Sequence, residues 1–309
     1  MAPGETRDWA GSSAAGTLSE TLLGDPTVAR LRPDDALPDE WLARAERLIS
    51  LPGDHGRFSL ARLSRQLGWL HTRAAKWSER HIIAAILRDG ASRAAALAGF
   101  FTMARVGNKQ LYTLLKPLLI DLSIDKKQSQ QRHTHAIVAF FVRGWRTTDD
   151  DGTRWLSDDE FRRILIYGDD DLRTDVLWHV GWFEFEEKIA FLQRVWPLQL
   201  AVRTPMVVGR LCTLAFDDEK HFPELVSAIL PLASHAQIGR VAWQPSHVKT
   251  ETIANYPDQV LDLLAVMLPD HVTSWPYGVD QLLERVIRAK PALVTDPHMI
   301  RLKDIWDRR

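Results

Sequence analysis

Apolar residues recur at intervals of three and four along almost the whole chain, in runs of roughly 10–14 residues separated by short polar, Gly or Pro breaks. That period is the spacing of one face of an α-helix, and no run alternates apolar and polar residues as a half-buried strand must. The start and stop chemistry agrees. "PDEWLARAERLIS" opens with Pro and two acids, "SDDE" at 157–160 is a capping box, and Thr204-Pro205 opens "MVVGRLCTLAF". The short apolar runs "RILIYG" and "LAVMLP" lie inside longer helical patterns and read as helix. About a dozen helices are expected, with an all-α fold.

Two of these helices are written alike. Phe222-Pro223-Glu224 begins "FPELVSAILP", and 34 residues later Tyr256-Pro257-Asp258 begins "YPDQVLDLLAVMLP". In that register Val226 falls on Val260 and Ile229 on Leu263. Proline suits the first helical turn, where a missing N–H costs nothing, and the adjacent acid suits the positive helix end. "FLQRVWP" echoes the closing apolar-Pro step. A period near 34 fits one helical hairpin of a stacked, α-solenoid-like (HEAT-like) body. Residues 1–36, with no strong helical pattern, read as a flexible N-terminal tail, and 37–309 as a single α-helical repeat-like domain.

Charge is unevenly distributed beneath a net charge of −1. Residues 57–146 hold 16 basic and 4 acidic side chains, residues 149–190 hold 5 and 13, and residues 191–309 hold 13 of each. The basic part offers Arg65, Arg73, Lys76 and Arg80, whose spacing can place them on one helical face, with Lys126, Lys127 and Arg132 further on. These seven are the candidate residues for binding a polyanion or an acidic partner.

Catalytic motifs are missing. The chain has no G-x-x-x-x-G-K-[ST] loop, G-x-G-x-x-G, H-E-x-x-H, G-x-S-x-G or C-x-x-C. His133 and His135, two apart on a helix, point about 200° away from each other and do not form a metal clamp. "TTDDDGTRWLSD" places Asp149, Asp151, Gly152 and Asp158 at EF-hand positions three, five, six and twelve. Thr147 replaces the first ligand, and Asp158 stands where a bidentate Glu belongs, so it reads as an acidic interhelical loop. The single cysteine, Cys212, has apolar neighbours and reads as buried structure. Most of the twelve tryptophans adjoin helical runs and read as packing residues. No cofactor or metal is expected, and an enzyme is disfavoured. The first residues lack a basic start followed by an apolar stretch, and no apolar run is long enough for a membrane span. A cytoplasmic protein is expected.

The segment "FLQRVWPLQLAVRTPMVVGRLCTLAF", with "HFPELVSAILPL" and "YPDQVLDLLAVMLPDHVTSWPYGVDQLLERV" after it, resembles the helical C-terminal region of large bacterial antiphage defence proteins. "LAGFFTMARVGNKQLYTLLKP" is similar to a second part of those proteins. In that group the region follows a sirtuin-type domain that consumes NAD. The resemblance spans about two thirds of the chain and rests on helix-packing residues, so no catalytic residue carries over. It implies the helical part of a larger system: a noncatalytic scaffold or sensing module with a protein partner, such as a separate effector subunit or domain. The alternative is a nucleic-acid-binding helical protein using residues 57–146.

Overall fold

The computed structural model describes residues 13–32, 35–88, 90–124, 133–233, 241 and 243–308. It is all-α, with the helical-repeat architecture the periodicity predicts. One isolated bridge, Thr148 with Arg154, is the sole β-type pairing among the described residues. The chain divides into two compact units at Leu156/Ser157.

The first unit contains α1 (Ala14–Leu23), α2 (Pro26–Ala29), α3 (Asp39–Ile49), α4 (Asp54–Ser64) and α5 (Leu67–Arg73). Then α6 (Ala75–Ser78) runs through a π-helical turn, Glu79–Ile83, into α7 (Ala84–Leu87), followed by α8 (Ala91–Met103), α9 (Lys109–Ile124) and α10 (Thr134–Arg146). At its centre α4 packs on α8, with α1 and α3 against α4. Small residues permit this approach: a Cβ on Gly99 of α8 would lie 2.0 Å from the Ala61 carbonyl oxygen of α4. Phe58, Ala61 and Ala95 form the buried contact around it.

Within the stretch expected to be a flexible tail, residues 14–23 and 26–29 are helical. Ser13 caps α1 by accepting the Gly16 N–H at 3.0 Å, and Asp25 caps α2 through the Thr27 N–H. Ala15, Ser19 and Leu22 are buried, and the Trp41 indole donates to the Leu22 carbonyl at 2.8 Å. The segment escapes a periodicity search because α1 is rich in Ala, Ser, Thr and Gly, and it docks by fit and by a side chain 19 residues away.

The second unit contains α11 (Asp158–Tyr167), α12 (Asp170–Gly181), α13 (Phe185–Arg194), α14 (Pro205–Phe216), α15 (Phe222–Ile229), α16 (Thr250–Asn255), α17 (Pro257–Met267), α18 (Val279–Ala289) and α19 (Pro297–Asp307). The capping box at Ser157 and Glu160 is present, as is the Thr204 cap on α14. Arg173, only 7 % exposed, closes α11: its guanidinium donates to the Leu165, Ile166 and Gly168 carbonyls at 2.6–3.0 Å and to Asp170 at 2.7 Å. Successive and next-but-one helices pack together: α12 on α14, α13 on α15, α15 on α17, α16 on α18 and α17 on α19. This is the pattern of stacked hairpins.

Side chains record the same repeat. Lys188 meets Asp218, Lys249 meets Glu219, Lys290 meets Asp258 and Arg301 meets Asp270, at 3.0, 3.5, 2.7 and 2.8 Å. Each pair joins residues 30–32 apart. The rings of Phe222 and Tyr256, the two repeat markers, lie against each other.

Candidate interaction surfaces

Arginines and lysines of the basic segment separate into two groups in the structure. Arg57 pairs with Asp54 one turn away, and Arg62 and Arg65 both approach Glu20 of α1, at 3.5 and 3.8 Å. The helix unforeseen in the tail therefore supplies part of their counter-charge. Arg73 lies over the Trp69 ring, 5.0 Å from its centroid, and donates to the Arg32 carbonyl at 3.2 Å. Lys76 and Arg80 are exposed and make no ion pair among the described residues. The four candidates thus do not form one free basic stripe: Arg65 and Arg73 are engaged, while Lys76 and Arg80 remain presented. Lys126, Lys127 and Arg132 lie outside the described residues.

The position of Arg80 depends on the π-helical turn, and a polar network keeps the adjacent acid occupied. Asn108 accepts the Leu111 N–H at 2.9 Å through Oδ1, so its amide nitrogen faces His71 Nδ1, 3.2 Å away. That nitrogen of His71 is therefore an acceptor, and Nε2–H donates to Glu79 Oε1 at 3.3 Å. Gln110 donates to the same oxygen at 2.8 Å. The Glu79 carboxylate is committed to this network, beside the free guanidinium of Arg80. His81, next in the turn, lies tilted against Trp77 with centroids 5.0 Å apart and is 3.8 Å from Glu46.

The acidic loop between α10 and α11 is tied to protein donors. Asp149 accepts from Lys109 and, at 2.9 Å, from the Trp155 indole; Asp151 accepts the Thr153 N–H at 2.8 Å. The hydrogen bond from Lys109 holds the Asp149 carboxyl below the usual aspartate range, and the Thr153 N–H does the same for Asp151. Their lone pairs thus stabilise a turn that reverses at Gly152, φ 80°. His133 stacks on Phe101, with centroids 4.6 Å apart. Cys212 is fully buried, and burial pushes its thiol up to about 12, so it is a packing residue with almost no thiolate at neutral pH.

Two concave features were not legible in the sequence. In the first unit an open cleft of about 270 Å³ lies between Leu23, Val28 and Leu31 on one side and Gln66, Trp69 and Arg73 on the other. In the second, a groove of about 1110 Å³ is lined by residues including Trp243, His247, Trp275 and Tyr277. Tyr277 is 95 % exposed there, while the Trp275 indole donates to the Pro269 carbonyl at 2.6 Å. Tryptophan usage also departs from pure packing: Trp145 and Trp196 are buried, but Trp182 is 75 % exposed.

No family model matches this sequence, and neither a curated protein nor a solved structure matches it. No helix among the described residues is long and apolar enough to cross a membrane.

Proposed function

We propose that this chain is a noncatalytic α-helical scaffold or sensing module, cytoplasmic, which binds an acidic protein partner through the basic face of its first unit. The observation that carries this reading is the pair Lys76 and Arg80. They sit one turn apart, exposed and without ion pairs among the described residues, while neighbouring arginines are neutralised within the unit. Exposed unpaired cations steer and hold anionic partners, with an attraction that weakens as salt rises. The helical-repeat body supports an interaction role because stacked hairpins present extended surfaces. The resemblance of residues 97–117 and 178–306 to the helical region of antiphage defence proteins supports placing the module in such a system, with an effector as partner.

The test compares the intact chain with Lys76→Glu/Arg80→Glu. Binding of a labelled acidic peptide (poly-glutamate) and of a 20-base-pair DNA duplex is measured between 50 and 200 mM salt. Peptide binding that falls at least fivefold in the variant supports the reading. Duplex binding that exceeds it, lost in the same variant, replaces the protein partner with nucleic acid. Turnover of NAD or of a nucleotide by the purified chain overturns the noncatalytic role.

A further inference from the structure

The cleft of the first unit has the composition of a ligand site. Gln66, Trp69 and Arg73 fall at i, i+3 and i+7, which places all three on one face of α5 and the residue preceding it. Opposite them, Leu23 at the end of α1, Val28 in α2 and Leu31 just beyond form an apolar wall. Tertiary contacts fix both sides. The Trp41 indole bonds the Leu22 carbonyl and its ring meets Trp69 edge-on, with centroids 6.2 Å apart. Arg73 is held by Trp69 beneath it and by the Arg32 carbonyl.

Along this open cleft the polar capacity is lopsided. Arg73 carries five N–H donors in a planar fork. One nitrogen serves Arg32, Nε is buried without a hydrogen-bond partner, and no carboxylate among the described residues lies within ion-pair distance. Gln66 adds an amide at the same face. A partly exposed cation whose Nε is buried and unpartnered, beside an apolar wall, recognises an anion that also has an apolar part. A planar carboxylate matches the guanidinium fork, and its tail would lie between Trp69 and the Leu23–Val28–Leu31 wall.

We infer that this cleft binds a small carboxylate with a branched aliphatic or aromatic tail, held by Arg73 and Gln66 and packed on Trp69. The same chemistry occurs in a free carboxylic acid and at the C-terminus of a peptide ending in Leu or Phe. The site does not depend on the basic face at Lys76 and Arg80, so either proposal can fail alone.

Calorimetric titration of the full chain tests it with three probes: phenylacetate, an acetylated peptide ending in Leu with a free carboxylate, and the same peptide amidated. Saturable binding of phenylacetate, at least tenfold weaker in Arg73→Gln, is expected. Arg73→Lys, which keeps the charge but loses the fork, is expected to weaken it as well, and Val28→Trp, which fills the cleft and leaves the Arg73 side chain unchanged in chemistry, to abolish it. Circular dichroism confirms that each variant is folded. Binding of the free-carboxylate peptide but not the amide identifies a chain terminus as a ligand; binding of phenylacetate alone identifies a free acid. Absence of binding by every probe, or phenylacetate binding equal in the intact chain and folded Val28→Trp, overturns the proposal.

Discussion

The ring of Phe222 lies against that of Tyr256, with centroids 5.6 Å apart and planes 28° from parallel. The two residues hold equivalent places in the two like-written helices, each just before the proline of its first turn. The repeat in the sequence is thus a contact in space: the second copy packs against the first at the position that marks both.

This contact is measurable. Phe222 is fully buried, and Phe222→Ala is expected to cost about 3–5 kcal/mol of stability. Tyr256→Leu, at a partly exposed ring, is expected to cost less. Urea denaturation of both single variants and the double variant should give a coupling of about 0.5–1.5 kcal/mol between the rings. A coupling of zero would mean that each ring is stabilised by other neighbours alone.

Asp218 carries a pH-dependent part of the second unit's stability. Burial raises its carboxyl, but the hydrogen bonds from Lys188 and His221 outweigh that, and it ends below the ordinary aspartate value. A carboxyl lowered by folding stabilises the native state above its unfolded value, about 3.9. That contribution disappears as pH falls through the lower, folded value. Lys188 is 5 % exposed, so Asp218→Asn strands a buried ammonium; a loss of about 3 kcal/mol is expected at pH 7. Denaturation at pH 7, 4 and 2.5 should show a smaller acid loss in Asp218→Asn than in the parent chain.

Ala104 ends α8 in the left-handed region, at φ 44° and ψ 30°, with its N–H donated to the Phe100 carbonyl at 2.7 Å. That conformation crowds a Cβ, whereas glycine adopts it freely. After allowing for the greater freedom of glycine in the unfolded chain, Ala104→Gly is expected to stabilise the protein by about 0.5–1 kcal/mol. A lower urea midpoint for Ala104→Gly would show that the Ala104 methyl group makes compensating contacts.

Fold class was legible because helical period, caps and breaks are local properties. The capping box at Ser157, the Pro-acid helix starts and the spacing of Phe222 and Tyr256 all state their structure within a few residues. The helix at 14–23 was not legible, because its small polar residues carry little amphipathic signal and Trp41 and α4 supply its docking. Arg73 and Lys76 look equivalent in the sequence, yet one is stacked on Trp69 and bonded to Arg32 while the other is exposed. Which charge is spent inside the fold depends on contacts such as Arg73 with Arg32, 41 residues apart, and composition does not encode them.

The ion pairs that join residues 30–32 apart in the second unit bear on how order spreads through it. Each tie spans one repeat, so closing it requires only a short loop, whose entropic cost rises slowly with length. A formed hairpin can therefore template the next, in either direction, as a zipper does. Assembly on this pattern has low contact order, so each hairpin can form from contacts close in the chain.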